Sequence, residues 1–594
     1  MKFKFVIPLF FLFVIPAFLG AQQTQIDVTT VLSHQFFDKN GNPLTGKGVL
    51  IGDVDSGIDI FHPMFFFADG GDYDWVDVNG DGKFTPGTDG VDFNHDGKIE
   101  TDEILRYIEL KDDTWNLLPG YEPGKFDPEY DFLYVDKNGN KKRDYGTKAG
   151  FTEKDPTYGE PLFIAIDANH NGKLDPGEKI IALKTSKVRA VCERDGTIRR
   201  RGVDLINTEE DSSGHGTGVA GLILGGENGV QKLHGIAPDA EIVVADIQYD
   251  YTPRFVRHFP DMINFLKDEK VNVLLIEDGE WMWEFMDGST PEEQLMDQMA
   301  REGTTVIGGS GNLATGDMVL IDTFTTGETE NYRVECEKIA EGKINDGMFM
   351  SFLWRNADNN VNFSITTPDR QTSPELNTGS DFIKVGSYNI FYSRDVSAKG
   401  TVMFRFACSK QDSSSVGGSW KITVKSPQAE VVRGYVVDVS QSWSGTSHWV
   451  SRYVTGESSI TFPGTADSCL AVGAYVVNLG WFDKIGGLAS YSSRGYNLDG
   501  KLGVDITAPG HTTLTTEANF GWQIFSGTSS AAPHVVGTVA LLLQYNPALT
   551  FSQIRQILRS SATSDKFTGA VPNTNWGYGK LNIEEAIKYL MNNY

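Results

Sequence analysis

Cysteine is scarce in this chain. Four cysteines in 594 residues, Cys192, Cys336, Cys408 and Cys469, are too few for a disulfide scaffold, so the fold must rest on buried apolar surface. Cys336 and Cys408 share one β-rich segment and are candidates to pair in an exported protein, although spacing alone does not establish the pairing. Basic residues are outnumbered too: 52 Lys and Arg face 79 Asp and Glu, a net charge of −27. That balance argues against a nucleic-acid partner and fits a soluble protein that binds cations. Beyond Phe18 there is no long apolar run, so no spanning segment is expected in the body of the chain. With 40% apolar and 22% charged residues the composition is that of a folded protein, and the length predicts three or four structural units.

The first residues read as a secretory signal. Lys2 and Lys4 precede an apolar stretch from Phe5 to Phe18, and Leu19-Gly20-Ala21 offers a small-residue cleavage site. The stretch is shorter than the ~20 residues a spanning helix needs, and no cysteine follows the site to carry a lipid. The protein is therefore expected to be secreted or periplasmic, with no stable membrane insertion after signal cleavage. Only Gln22 to Gly48 separate this leader from the first strand-like run, so no sizeable folding propeptide is expected.

Three glycine-rich settings carry chemistry. Ser526-Gly527-Thr528-Ser529-Ser530-Ala531-Ala532-Pro533-His534 runs into the apolar stretch Val535 to Leu543. Ser529 thus sits where a glycine turn enters a helix, and the free N–H groups there favour developing negative charge. A serine needs a general base held by a third group. Both partners are present. Asp55, in Val54-Asp55-Ser56-Gly57, ends a strand-like run, and His215, in Ser213-Gly214-His215-Gly216-Thr217-Gly218-Val219-Ala220-Gly221, opens a second helix. A fourth motif, Val306-Ile307-Gly308-Gly309-Ser310-Gly311-Asn312, takes a strand into a glycine turn. Ser447, in Ser444-Gly445-Thr446-Ser447-His448, shares the S-G-T-S string but lacks the small-residue and proline pattern and the following helix, and reads as a loop serine.

At these residues the chain resembles the subtilisin-like serine proteases. Asp55 matches the family's D-[ST]-G, His215 its H-G-T-x-V-A-G, Ser529 its G-T-S-x-A-x-P, and Asn312 its oxyanion-hole asparagine. Gly235-Ile236-Ala237-Pro238, Ser492-Ser493-Arg494-Gly495, Ala508-Pro509-Gly510 and Trp576-Gly577-Tyr578-Gly579 match further scaffold motifs. The order Asp, His, Ser is the one subtilisin uses. The resemblance implies an α/β fold, a parallel sheet flanked by helices, with Asp55, His215, Ser529 and Asn312 as catalytic residues and protein or peptide chains as substrates. It covers the chain in three pieces, 22–66, 200–315 and 455–594, after a signal peptide at 1–21. Strand-like runs at Val49–Val54, Ile242–Ile247, Val271–Ile276, Thr304–Ile307 and Cys469–Val472 alternate with helical patterns, the rhythm of such a sheet.

Two insertions interrupt those pieces. The first, 67–199, is dense in Asp, Asn and Gly. Asp92-Phe93-Asn94-His95-Asp96-Gly97-Lys98 through Glu103 fits the twelve-residue calcium loop of the EF-hand. Oxygen ligands are Asp92, Asn94 and Asp96, the main-chain carbonyl at Lys98, and Glu103. Asp167, Asn169, Asn171, Lys173 and Glu178 repeat the pattern. Asp77, Asn79 and Asp81 begin a third loop with Thr88 where the glutamate belongs, and Asp136-Lys137-Asn138-Gly139-Asn140 begins a fourth with Lys141 in place of glycine. Flanking amphipathic helices are not evident, so bound Ca2+ is expected to stabilise the fold and not to act as a sensor. The second insertion, 316–454, shows period-two runs such as Met348–Trp354, Thr401–Ala407 and Val431–Val439, predicting an antiparallel sandwich or jelly roll. A β module between the oxyanion asparagine and the nucleophile resembles the arrangement in clostridial germination subtilases.

In the family, a strand ending in S-L-G lines the pocket for the residue before the cut. Here the stretch ends Glu277-Asp278-Gly279. Either Glu277 or Asp278 recognises a basic side chain or a free amine, or both carboxylates face solvent. The aromatic residues Trp281, Trp283 and Phe285 that follow either rim the cleft or cover the second insertion. The expected activity is a secreted, calcium-stabilised serine endopeptidase. The competing readings are an exopeptidase of the same family, or a secreted binding protein or pseudoprotease that uses the β insertion.

Overall fold

The computed structural model describes residues 36–594 except 110, 113–117, 119, 146–158, 209–210, 212, 248–254, 278, 280, 282–283, 338–344, 441–445 and 480–482. The leader at 1–21 lies outside the described residues. Eight strands form the central sheet: β1 (Leu50–Asp55), β2 (Val188–Cys192), β3 (Ile198–Arg200), β4 (Glu241–Asp246), β5 (Val273–Ile276), β6 (Thr305–Gly309), β7 (Leu470–Val476) and β8 (Ile506–His511). Their order is β8-β7-β6-β5-β1-β4-β2-β3, parallel throughout except for the β2–β3 hairpin. β1 and β5 are buried along their whole length, as expected of parallel strands covered on both faces. Residues 188–200 pair with this sheet, although the sequence pattern reads them as the end of the acidic insertion.

Helices α1 (His215–Leu224), α2 (Phe255–Asp268), α3 (Pro291–Arg301), α4 (Thr528–Tyr545), α5 (Phe551–Ser561) and α6 (Ile583–Asn593) accompany the sheet. α4 is buried from Ala531 to Leu543 and belongs to the principal core with the sheet strands. The architecture is the expected α/β parallel sheet flanked by helices. Arg555 and Arg559 of α5 both bind Asp505, which precedes β8 and is itself buried. Among the described residues no helix is long and apolar enough to cross a membrane.

The first insertion folds a five-stranded antiparallel sheet of its own, in the order Asp72–Asp74, Lys179–Leu183, Leu162–Ala165, Phe132–Val135 and Leu105–Ile108. Sequence reading sees only its loops, because the strands are short and lie between long polar turns. The second insertion forms a six-stranded and a four-stranded antiparallel sheet, packed through a core that includes Phe352, Phe363, Phe404, Trp420 and Trp449. Trp281 is buried in that core, its ring 5.2 Å from Tyr435, and Phe285 packs against it. These aromatics therefore cover the insertion and do not rim a cleft; Trp283 lies outside the described residues. All four cysteines are buried free thiols, so Cys336 and Cys408 are not bridged.

α1 packs against the hairpin Thr513–Glu517/Gly521–Phe525 through glycines. Thr515 Oγ1 donates to the Gly218 carbonyl at 2.6 Å and Thr516 Oγ1 to the Thr217 carbonyl at 2.7 Å. A Cβ at Gly221 would lie 2.6 Å from Thr515 Oγ1 and closer still to Thr516 Oγ1. Gly221→Ala gains up to about 1 kcal/mol of helix propensity but must push this hairpin away, at a cost of about 1–3 kcal/mol. Net destabilisation is expected, read as a lower urea midpoint; an unchanged or higher midpoint would show that the hairpin yields freely.

Candidate active site

The carboxyl ends of adjacent parallel strands collect the site. β1 ends in Asp55, fully buried, whose Oδ1 accepts the Ser56 N–H at 2.5 Å. The turn after it passes Gly57 at φ +106° and meets the first turn of α1. A side chain at Gly216 would collide with the Gly57 carbonyl, so glycine alone lets His215 reach Asp55. His215 Nδ1 lies 2.8 and 2.9 Å from the two Asp55 oxygens, which turns Nε2 away from Asp55. Burial disfavours the imidazolium, but the Asp55 charge and hydrogen bond, then Glu277 and Asp211, more than offset it and hold the His215 pKa at about 9.

Ser529 stands in the first turn of α4, after Gly527 at φ +141°. The Gly527 N–H donates to Gly510 O at 2.8 Å, and a Cβ at Gly510 would press on Ala474, Ala531 and Gly527 O. Asn312 follows β6. Its Oδ1 accepts from the Thr528 N–H at 2.8 Å and from Thr528 Oγ1 at 3.1 Å. That orients the carboxamide with its NH2 as the remaining donor beside the α4 N-terminus. The structure thus joins Asp55 to His215 and Asn312 to the turn that carries Ser529.

Glu277 joins them. It continues β5, its N–H bonded to the Val54 carbonyl at 3.1 Å, and it is 8% exposed. Its carboxyl lies beside the Ser529 hydroxyl, which favours the ionised form, and its Oε1 is buried without a partner. The solvent-facing reading is therefore wrong for Glu277, because β5 neighbours β1 in register and turns this side chain toward the same cluster. Gly279 is exposed; Asp278 lies outside the described residues. Ser447, set aside from sequence, is buried in the β insertion with its Oγ donating to Asp438 at 2.6 Å.

Asp211 is a site residue that motif reading misses. Its carboxylate accepts from the Gly214 N–H at 2.9 Å, the Thr217 N–H at 3.0 Å, Thr217 Oγ1 at 2.7 Å and Ser56 Oγ at 3.0 Å. It caps α1 and ties the histidine helix to the aspartate turn. An acidic residue just before a helix whose first turn carries His215 is the available signal.

The expected calcium ligands form four loops with one hydrogen-bond plan. The first acid of each accepts the N–H five residues on: Asp77 from Gly82, Asp92 from Gly97, Asp136 from Lys141 and Asp167 from Gly172. Lys141 takes the glycine's place with φ +65°. A closing acid then binds the second and ninth N–H groups. Glu103 does so for Phe93 and Glu100, and Glu178 for Ala168 and Asp175. In the loop that lacks its glutamate, Asp89 binds Val78 and Thr85 instead, one residue beyond Thr88. In the loop from Asp136, Glu160 binds Lys137 and Asp144. The side-chain donors are carboxylate and carboxamide oxygens, the ligand chemistry of Ca2+, and Asp136 Oδ1 is buried without a partner. Among the described residues, however, no three His, Cys, Asp or Glu side chains close on a point as a metal cage.

Comparison with known proteins gives a consistent picture. The sequence model of the subtilase family matches residues 46–255 and 440–579. Subtilisin BL of Lederbergia lenta is 36% identical over 135 residues, 23% of this chain and 43% of that protein. Subtilisin DY of Bacillus licheniformis is 34% identical over 155 residues, 26% of this chain and 47% of that protein. Serine protease AprX of Bacillus subtilis (strain 168) is 32% identical over 166 residues, 25% and 37%. The chain thus spans less than half the length of these curated relatives. The structure of the Clostridium perfringens CspB protease aligns over 93% of this chain and 96% of its own with a TM-score of 0.61 at 17% identity, a likeness of fold.

Removing Asp211 strands several buried N–H groups at the start of α1. Asp211→Ala is expected to cost about 1–3 kcal/mol in urea unfolding and to lower kcat more than it raises KM, since the His215 helix loses its anchor. A variant with wild-type stability and turnover would remove Asp211 from the site.

Proposed function

The chain belongs to the subtilase family, and from that premise we propose that it is a secreted or periplasmic serine endopeptidase that hydrolyses protein or peptide substrates through Asp55, His215 and Ser529. The observation that carries the reading is the bond between buried Asp55 and His215 Nδ1, at 2.8 Å. Ser529 attacks the scissile carbonyl, and His215 takes its proton and returns it to the leaving amine. Asp55 holds the imidazole and stabilises its cation. Water then hydrolyses the acyl-enzyme by the same relay. The Asn312 NH2 and the Ser529 N–H hold the oxyanion. The substrate pocket is drawn along Glu277, Asp278 and Gly279. The division of the chain into three catalytic pieces and two insertions belongs to the same reading, with the β insertion as a docking or stabilising appendage.

Ca2+ is part of this proposal. Asp77, Asn79 and Asp81, closed by Asp89, would hold one ion. Asp92, Asn94, Asp96, the carbonyl of Lys98 and Glu103 would hold a second, and Asp167, Asn169, Asn171, the carbonyl of Lys173 and Glu178 a third. A bound cation screens carboxylates that otherwise repel, so its contribution is to stability.

The test is hydrolysis of casein and of blocked and free-ended peptides by purified protein. Ser529→Ala is expected to lower kcat by about 10⁴-fold or more. Asn312→Ala should cost about 10²–10³, a figure drawn from subtilisin itself. Cleavage of blocked peptides identifies an endopeptidase; cleavage of free-ended peptides alone would mean an exopeptidase. A folded wild type without hydrolysis, whose β insertion still holds a ligand after Ser529→Ala, would mean a binding protein. Chelation with EDTA should lower the Tm and restored Ca2+ should recover it; an unmoved Tm removes calcium from the account.

A further inference from the structure

A buried carboxyl beside the serine has no place in an aspartate–histidine–serine relay. Glu277 lies beside Ser529 at the end of β5, and its Oε1 is buried and unpartnered. The groups acting on it come from three neighbouring elements: β1 supplies Asp55 and Asp53, the α1 turn supplies His215, on which Asp211 also acts, and α4 supplies Ser529. Asp53 is fully buried in β1 and both its oxygens lack hydrogen bonds. Parallel register explains the crowding: Asp53 lies opposite Leu275, so Asp53, Asp55, Leu275 and Glu277 share one face of the β1–β5 pair.

We propose that Glu277 is a fourth ionisable member of the catalytic centre, which shares one proton with His215 and must lose it before Ser529 can be activated. The proposal rests on the serine-peptidase reading above. Either placement of the shared proton blocks the reaction. On Glu277, the carboxyl O–H caps the Ser529 oxygen. On His215, the imidazolium cannot accept the Ser529 proton. Once the proton has left to solvent, neutral His215 takes the Ser529 proton as the bond to the carbonyl carbon forms, and returns it to the leaving amine.

The electrostatics agree with this geometry. Burial raises the Glu277 pKa; His215 opposes and Asp55 adds to the shift, leaving it at about 8. Burial, then the charges of Asp55, Glu277 and Asp211, hold Asp53 well above the usual carboxylate range. Carboxyls this close cannot all ionise together. Both His215 and Glu277 are raised, so the inactive protonated state prevails below their values and activity grows as pH rises through them.

Two measurements test it. The first is the pH dependence of kcat/KM for wild type and Glu277→Gln, with Ser529→Ala as the blank. Wild type is expected to show its acid limb near pH 8 or above. Glu277→Gln removes a charge and a proton site while keeping the shape, so the limb should move down by about one unit. At pH 6.5 the variant should then exceed wild type by about tenfold. The second is the titration of His215 by NMR, which needs no turnover and should show the same downward move, in the Ser529→Ala background as well. A wild-type limb at the ordinary histidine value near 6.5 would overturn the proposal without any variant, as would an unshifted limb or His215 titration in Glu277→Gln. An inactive wild type whose His215 titration still shifts would instead overturn the peptidase reading and leave the proton-sharing pair standing.

Discussion

Burial of one carboxylate organises this molecule. Asp55 ends a strand with no exposed residue, and a carboxylate in such a place must be met by donors or take up a proton. The Ser56 N–H and His215 Nδ1 meet it. That need brings the start of α1 against the end of β1, which Gly216 permits sterically and Asp211 enforces from below. The imidazole cannot leave without stranding Asp55, so the geometry of the site and the local stability depend on the same bond.

Strand order does the rest. Because β5 and β4 flank β1 and β6 follows β5, the ends of several parallel strands open on one side. Glu277 and Asn312 arrive there from β5 and β6. α4 crosses beneath with its N-terminus toward them, and Thr528 binds Asn312 so that helix and loop orient each other. The insertions respect this arrangement. The sandwich leaves after β6 and the chain returns at β7, which pairs with β6, so a whole β module is added without separating two neighbouring strands. Lys399 of the sandwich reaches the Asp287 carbonyl and Asp467 outside it, and Ser397 reaches the Asp287 carboxylate.

The acidic insertion follows another logic. Its loops are closed by carboxylates that satisfy main-chain N–H groups, and each loop opens between short strands instead of helices. The common plan across four loops is stronger than the common sequence. Lys141 adopts the left-handed backbone that glycine adopts in the other three loops, and Asp89 and Glu160 do the work of a glutamate at position twelve.

By itself the sequence determined what depends on neighbours along the chain. The turn-and-helix settings of Asp55, His215, Ser529 and Asn312, the alternation of strand and helix, the period-two runs of the β insertion and the oxygen-rich acidic loops are all local patterns, because helix entry, amphipathic spacing and tight turns are set within a few residues. Tertiary structure decided what depends on which strands lie side by side. It turned Glu277 inward onto Ser529, buried Asp53 beside it and set Asp211 under α1. It closed one loop with Asp89 and another with Glu160, carried residues 188–200 into the central sheet, and sent Trp281 into the β module. None of these follows from spacing, since parallel pairing joins residues more than a hundred positions apart and the face on which a side chain emerges is fixed only once its neighbours are in register.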